Sequence, residues 1–454
     1  MTKIAVIGPN ADHLPLGDYT PPVQGFKEVT LLEGIRQIAK ESVSVVYEKG
    51  CSIREIDLEP VKSKNLLTPD ESSKGLLAEY FNHISLDCDP DVTRIDPAVD
   101  FNFIMQIPGD GIKSDEFAVR WSGFIVPDVS GVASVGFTSQ DSYRVSIDGH
   151  LLLDTWTQDA NKAFTKFEFE KDRKYPIVIE YKKHKGGGRA AKLCWSFEED
   201  DMNKAIEAAI SADVAIIALG ESRDLSGESR DRSDLNLTGK QEELILKIHE
   251  TGTPVVAVLL NGRPLTCNRI HEHIPAIIEA WYPGDQGGIA IAQILFGHCN
   301  PSGKLPISFP KRIGQLPVYY NRPEAGRRRY VDADSLPLYA FGEGLSYSVF
   351  EYGNLELSKE SIYPDEEVIV SVQVSNISKT DGYETVMLFV NDVISSVVTP
   401  DFALKDFRKV FIKAGEAVTV IFTVGFEHLK LLNRQMIETV EKGVFEIHVG
   451  GNLK

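Results

Sequence analysis

Cysteine is scarce in this chain: 454 residues contain five, at Cys51, Cys88, Cys194, Cys267 and Cys299. No Cys-x-x-Cys pair occurs among them, which removes the zinc clasp and the redox dithiol from consideration. They read as buried thiols, with one bridged pair as the alternative. Positive charge is short as well: 48 Lys and Arg stand against 66 Asp and Glu, a net charge of −18 spread over the whole length. Without a basic stripe to meet a phosphate backbone, a nucleic-acid partner is excluded and neutral or cationic partners are favoured. No stretch approaches the roughly 18 uninterrupted apolar residues of a membrane span. The start, Met1-Thr2-Lys3-Ile4-Ala5, runs into a strand pattern instead of the apolar region of a signal peptide. No membrane partner and no visible address for a compartment are therefore expected. Internal repeats and low-complexity linkers are lacking too. What is present is ordinary globular composition, 43% hydrophobic and 25% charged, enough to fill several cores. At about 150 residues per domain, the length suggests about three domains.

Two textures alternate along the chain. Lys3 to Ile7 is a short apolar run closed by Gly8-Pro9-Asn10, Leu31 to Lys40 has helical spacing, and Val43 to Tyr47 reads as a strand. From Gly75 to Phe197 aromatic and β-branched residues alternate with polar ones between frequent Gly, Asp, Asn and Ser turns, an all-β signature. The first texture then returns: a helix over Met202 to Ser211, an apolar strand over Val214 to Leu219, a helix capped by Thr238 and running to about Glu250, and strands over Val255 to Leu260 and Ala276 to Trp281. Continuous apolar strands between helices imply a mostly parallel sheet covered on both faces. Two strands before residue 72 cannot make a sheet alone, so residues 1–72 and 200–346 are expected to form one α/β domain, with residues 73–199 inserted as a β-sandwich. Beyond Phe350, alternating strands at Val368 to Val374, Glu384 to Val390, Arg408 to Ile412, Ala417 to Val424 and Val444 to Val449 predict a second β-sandwich over 347–454. The fold class is thus multidomain, α/β plus all-β.

In an open parallel sheet, ligands sit beyond the carboxyl ends of the strands. The loops there are Gly8 to Asp12, Gly220 to Leu237, Asn261 to Pro264 and Trp281 to Gly288. Gly220 to Asp234 is exceptional, because it interleaves carboxylates with guanidinium groups and carries Ser226-Gly227 for a tight bend. Its composition fits a solvated loop held by i,i+2 ion pairs. It also fits proton donors, since burial under a ligand and neighbouring charges move a carboxyl pKa. Other motifs fail on their own chemistry. After Gly8 no further glycines allow a pyrophosphate to approach, so a dinucleotide cofactor is not expected. Gly297 to Leu305 resembles a phosphate loop with one residue too many and Leu305 in place of the magnesium-binding Ser or Thr, so it reads as a structural turn. His271-Glu272-His273 puts two His at i and i+2, which cannot share a helical face as zinc hydrolases require, and reads as solvent-facing. No Gly-x-Ser-x-Gly elbow offers a serine nucleophile. No metal site and no cofactor are expected.

Six segments together resemble a known family: Lys3 to Asp12, Tyr47 to Cys51, Ser226-Gly227-Glu228-Ser229-Arg230-Asp231-Arg232, Trp281-Tyr282-Pro283-Gly284 with Gly287-Gly288, Asn300 to Pro306, and Pro337 to Tyr339 with Phe341 to Tyr347. Occurring in this order, they resemble the C-terminal portion of a glycoside hydrolase family 3 β-glucosidase. Gly75 to Phe81, Arg120 to Phe124 and Ile147-Asp148-Gly149 resemble the protective-antigen-type β-sandwich that some members carry as an insert. Residues from about 350 onward are similar to the family's fibronectin III-like cap. The resemblance implies a retaining β-glucosidase that removes terminal β-D-glucosyl residues, with a β-glucoside or β-linked gluco-oligosaccharide as substrate. It implies that Glu228 is the acid/base, with Glu221 as the fallback, and that Asp231 and Arg232 form a structural pair shaping the loop. It also implies a TIM-like barrel, as a domain or a subunit, that carries the aspartate nucleophile and most of the glucose pocket. This sequence begins where the family's α/β-sandwich domain begins, so the chain alone is expected to be inactive. In the insert, sugar-binding relatives hold calcium with adjacent aspartates, whereas the corresponding turn here is Gln140-Asp141; calcium-dependent sugar binding is not expected. Trp121, Tyr143 and Trp156 read as core aromatics of the insert, with the lining of a sugar subsite as the other possibility.

Two functions of different kinds remain open at this point. One is the acid/base-bearing part of a β-glucosidase. The other is a non-catalytic carbohydrate-binding or assembly protein derived from such an enzyme. An intact Glu228 loop favours the first, since a binding module has no use for that pattern. A branch cleaving xylosides or N-acetylglucosaminides is a weaker third reading.

Overall fold

The computed structural model describes residues 2–17, 19–20, 27–54, 58–103, 109, 111–112, 115–156, 164–186, 190–197, 201–322 and 330–453, with Asp224 described by its backbone alone. The chain resolves into two compact units, one made of Met1–Ile53 with Asp201–Lys454 and one of Arg54–Asp200.

The first unit is built on a five-stranded sheet. Its elements in chain order are β1 (Lys3–Ile7), α1 (Leu31–Ile38), β2 (Ser44–Glu48), α2 (Asp201–Ile210), β3 (Val214–Gly220), α3 (Gln241–Glu250), β4 (Val255–Leu260), α4 (Asn268–His273), β5 (Ala276–Glu279) and α5 (Gly287–Leu295). The strand order is β5-β4-β3-β1-β2, and every pairing is parallel, with Ile4 opposite Val214, Gly220 opposite Leu260 and Val256 opposite Ala276. Alternation along the strands explains why both faces are apolar. Ala5, Ile7, Ala215, Ile217, Leu219, Ala257 and Leu259 pack with residues of α2, α3 and α4, while Ile4, Val6, Ile216, Ala218, Val258 and Leu260 pack with residues of α1 and α5. A strand buried on both faces has no position left for a polar side chain, hence the unbroken apolar runs.

Local sequence sets the helix that covers β1. Thr30 accepts from the Glu33 amide at 3.2 Å while Glu33 accepts from the Thr30 amide at 3.4 Å, a reciprocal cap that satisfies two orphan donors. Gly34 of α1 lies so close to Gly288 of α5 that a Cβ on Gly34 would stand 2.2 Å from the Gly288 carbonyl oxygen. The expected cap at Thr238 is different. Its hydroxyl donates to the Ile53 carbonyl, and α3 begins after Lys240 with no side-chain cap.

The second unit holds two antiparallel sheets around one core that includes Tyr80, Phe117, Trp121, Phe137, Tyr143 and Tyr181. Trp121 and Tyr143 are core residues as expected, whereas Trp156 is partly exposed and carries Arg144 and Lys182 against its ring at 4.1 and 3.7 Å. Asp141, at the turn compared with calcium sites, is buried and already accepts from the Tyr181 hydroxyl at 2.9 Å and the His184 amide at 3.2 Å. The sequence places the start of the insert at residue 73, yet Glu59–Pro60 pairs with Ala190–Phe197 and Leu66–Leu67 pairs with Phe117–Ile125. Both strands are two residues long, too short to show an alternation. The return to the α/β part, placed at residue 200, falls at 198–200, outside the described residues.

The C-terminal β domain has Phe350–Leu357, Val368–Asn376 and Ala417–Val424 in one sheet and Ala403–Ile412, Gly382–Asp392 and Phe445–Gly450 in the other. Its core runs from Val368 to Val424 and includes Val386, Leu388 and Phe422. The turn that mimics a phosphate loop ties this domain to the α/β part. Asn300 donates to Ser348 Oγ and the Asp381 carbonyl, both at 2.8 Å, and Lys304 Nζ lies 3.5 Å from buried Glu384. No disulfide joins any of the five cysteines; Cys51, Cys194 and Cys267 are buried, but Cys88 and Cys299 are exposed, against the expectation of buried thiols throughout. His271 to His273 face solvent as read from the sequence, with His271 Nδ1 2.8 Å from the Tyr339 hydroxyl.

Because β1 lies between β3 and β2, residues 1–53 supply interior pairing that the rest of the sheet cannot replace. A protein in which Arg54–Asp200 is replaced by a short Gly/Ser linker should therefore melt in one cooperative transition. A protein starting at Asp201 should not. Calorimetry on both decides: a cooperative transition in the second would show that β1 and β2 are dispensable.

Candidate active site

The parallel register brings four strand ends to one edge: Gly8-Pro9-Asn10 after β1, Glu221 after β3, Asn261-Gly262-Arg263 after β4, and Glu279 ending β5. Side chains link these ends. Asn10, fully buried, donates its amide to the carbonyls of Glu221 and Leu260, each at 3.4 Å. Asn261 donates to the Arg263 carbonyl at 2.9 Å and to Glu279 Oε1 at 3.2 Å.

Glu221 is the hub. It is 1% exposed, and two guanidinium groups converge on its carboxylate, Arg232 Nη1 at 2.9 Å and Arg263 Nε at 3.1 Å from Oε1. The Gly262 amide donates to Oε2 at 3.3 Å. A buried carboxylate is tolerable only when paired and hydrogen-bonded in this way. Its partners are thereby fixed too: Arg232 donates to the Asn236 carbonyl at 2.6 Å, and Arg263 Nη2 donates to the carbonyls of Leu225 at 2.6 Å and Arg230 at 3.2 Å. The pair inferred between Asp231 and Arg232 does not form; Arg232 turns inward to Glu221, while Asp231 is exposed. A buried anion outcompetes an exposed one for a guanidinium, because water screens the exposed pair.

Glu228 stands differently. Residues 227–231 are all exposed, Gly227 and Ser229 have φ of 141° and 59°, and the Arg230 amide closes a turn onto the Gly227 carbonyl at 3.2 Å. The Tyr19 hydroxyl donates to Glu228 Oε2. Asp234 is engaged in its own turn, accepting from the amide of Asn236 at 2.8 Å. Among the described residues, no group of three or more His, Cys, Asp and Glu is arranged to hold a metal ion.

Sequence reading missed Glu279, because it sits inside a run counted as an apolar strand. The one signal was a carboxylate within that run, the fourth of the six residues from Ala276 to Trp281. Its Oε1 accepts from the Trp281 amide at 3.1 Å and from Asn261, whereas its buried Oε2 has no partner among the described residues. Burial pushes its pKa from 4.5 up to about 8, against the pull of the Trp281 amide and the Asn261 side chain, and the Glu221 charge adds to the rise. The folded chain thus holds this proton more tightly than the unfolded chain, so the stabilisation is complete below about pH 4.5 and is lost as pH climbs through about 8. Glu279→Gln, neutral throughout, should flatten that part of the Tm–pH curve and melt a few degrees above the parent near pH 8. Parallel curves for parent and variant would mean that Glu279 is already ionised at neutral pH.

Comparison with known proteins places this edge in a family. Residues 1–347 match the model of the glycosyl hydrolase family 3 C-terminal domain, and residues 384–453 match that of the fibronectin type III-like domain. The chain is similar to a protein named beta-xylosidase from Formosa agariphila, 44% identical over 263 residues, covering 57% of this chain and 36% of that protein. It is similar to the periplasmic beta-glucosidase of Salmonella typhimurium, 40% identical over 260 residues, covering 55% of this chain and 34% of the relative. In fold it is similar to the beta-glucosidase of Kluyveromyces marxianus, solved in complex with glucose, with a TM-score of 0.70 at 24% identity over 99% of this chain and 57% of that one. The chain therefore spans about a third of the length of the first two relatives. Since the first family model takes in three quarters of its residues, the chain belongs to glycosyl hydrolase family 3, of which it carries the C-terminal domain together with a fibronectin type III-like domain.

Proposed function

We propose that the chain supplies the general acid/base, Glu228, to a retaining β-glucosidase whose aspartate nucleophile and glucose pocket come from a TIM-like barrel, in the same polypeptide or in another. One observation carries this reading: of the three glutamates at this edge, Glu221 is spent on two guanidinium groups and Glu279 has its unbonded Oε2 buried, while Glu228 is exposed on the loop that follows β3. A general acid must reach the departing oxygen and then the incoming water, so it needs an accessible carboxyl that no cation holds. The Tyr19 hydroxyl donates to Oε2, which leaves Oε1 to exchange the proton.

In a retaining glycosidase the two carboxyl groups stand about 5–5.5 Å apart, one attacking the anomeric carbon and the other protonating the leaving oxygen. Glu228 takes the second role. It then removes a proton from the water that hydrolyses the glycosyl intermediate. The other carboxyl belongs to the barrel, which the proposal also makes the source of glycone choice. Because one relative is named for xylosides and another for glucosides, the assay runs on aryl β-glucosides and β-xylosides side by side.

The chain alone, purified to homogeneity, should release no sugar from either substrate. Turnover that persists through purification and vanishes in a variant of one of its own residues would overturn the need for a barrel. In the complete enzyme, Glu228→Gln should lower cellobiose hydrolysis by about 10²–10⁴-fold while sparing the first step on a dinitrophenyl glucoside, whose leaving group departs unaided. Deglycosylation then becomes slow, and azide should restore turnover as a glucosyl azide of retained β configuration. If Glu221→Gln shows this leaving-group dependence and azide rescue while Glu228→Gln stays near the parent, the roles are reversed.

A further inference from the structure

Residues 221–235 form no strand, and the loop carries backbone at φ of 141° at Gly227 and 59° at Ser229, so its shape depends on ties from outside. The ties come from Arg263, which belongs to the neighbouring strand end. Its Nε lies 3.1 Å from the buried Glu221 carboxylate, and its Nη2 donates to the Leu225 and Arg230 carbonyls at 2.6 and 3.2 Å. Those two carbonyls bracket Ser226 to Ser229. We infer that Arg263 is a positioning residue for Glu228: anchored on Glu221, its guanidinium fork fastens the backbone on both sides of the acid/base and fixes where that carboxyl stands. This rests on the reading of Glu228 given above, and it assigns Arg263 a role exerted through the loop backbone.

The chemistry of the side chain is specific to the task. A guanidinium presents five donors in a rigid plane, so one group can satisfy a carboxylate on one edge and two carbonyls on another. An ammonium in its place keeps the charge opposite Glu221 but cannot span both carbonyls. Arg263 is held in turn. Its side chain is 21% exposed, and the adjacent Gly262 leaves no room for a Cβ, which would stand 2.6 Å from Ser226 Oγ and from the Tyr282 ring. The close approach of the Gly262 backbone to Ser226 is what brings the fork within reach of the loop. Arg232 holds the far limb by the same logic, through Glu221 and the Asn236 carbonyl, but it does not bracket Glu228.

Displacing a catalytic group by about 1 Å costs about 10²-fold in rate. Arg263→Lys in the complete enzyme should therefore lower kcat for cellobiose by about 10²-fold, with a smaller change in KM, and lower the first step on a dinitrophenyl glucoside by less than about threefold. In Arg263→Ala, added guanidinium below denaturing concentration should recover part of the loss on cellobiose. On the chain itself, hydrogen exchange reads the tie without any activity: the Leu225 and Arg230 amides, which donate to the Ser222 and Gly227 carbonyls, should exchange about tenfold faster in Arg263→Lys than in the parent. An equal loss on both substrates, or unchanged exchange at these amides in a variant that melts like the parent, would overturn the inference. Glu228→Gln runs beside it. Should that variant lack leaving-group dependence, the acid/base reading falls, and exchange at Leu225 and Arg230 alone decides whether the fork sets the loop.

Discussion

The buried carboxylate of Glu221 is the interaction on which the rest of the site depends. Removing a carboxylate from water costs several kcal/mol even after the protein relaxes around it. That cost is offset here by Arg232 and Arg263 together, with the Gly262 amide on the second oxygen. The arrangement then works in reverse: two guanidinium groups that share one buried anion cannot wander, so each becomes a fixed donor to something else. What they donate to is the backbone of the loop that carries Glu228. An ion pair is poor evidence of stability in itself, but it is an efficient way to place five donors at known positions.

The sheet makes this possible. Parallel pairing puts Glu221, Gly262 and Glu279 one strand apart at the same edge of the sheet. Glu221 and Glu279 are near enough for the charge of the first to raise the pKa of the second. The edge therefore holds one carboxylate paired with two guanidinium groups and one carboxyl whose pKa burial raises, a division that follows from environment alone.

Much of the fold was legible because burial on two faces writes itself into sequence. Val214 to Leu219 and Val255 to Leu260 are strands with nearly the expected bounds, and the parallel order follows from helices lying between them. The two strands that open the insert, Glu59–Pro60 and Leu66–Leu67, were less visible, since each is two residues long and carries no period. Helix α5 escaped for a different reason: it opens on Gly287-Gly288, which reads as a loop, yet that absence of side chain is what lets it lie against α1 at Gly34. Thr238 looked like a cap because the residue type fits, and long-range bonding to Ile53 took its hydroxyl instead.

The site was half legible. Position in the chain located the loop, and the resemblance singled out Glu228, but pairing inside the loop could not be read from neighbours in sequence. Arg232 stands beside Asp231 and bonds Glu221, eleven positions back, because the desolvated partner gains more from a cation than the solvated one. Arg263 was further hidden, being forty-two positions from its carboxylate. Composition shows only that acids and bases are interleaved. Which of them are spent on holding the loop, and which is left exposed at its bend, depends on where the strand ends bring the backbone, and that is a property of the register of the sheet. On the proposed reading, the acid/base is a glutamate that the framework leaves without a cationic partner among the described residues, and its location is set by residues that keep no freedom of their own.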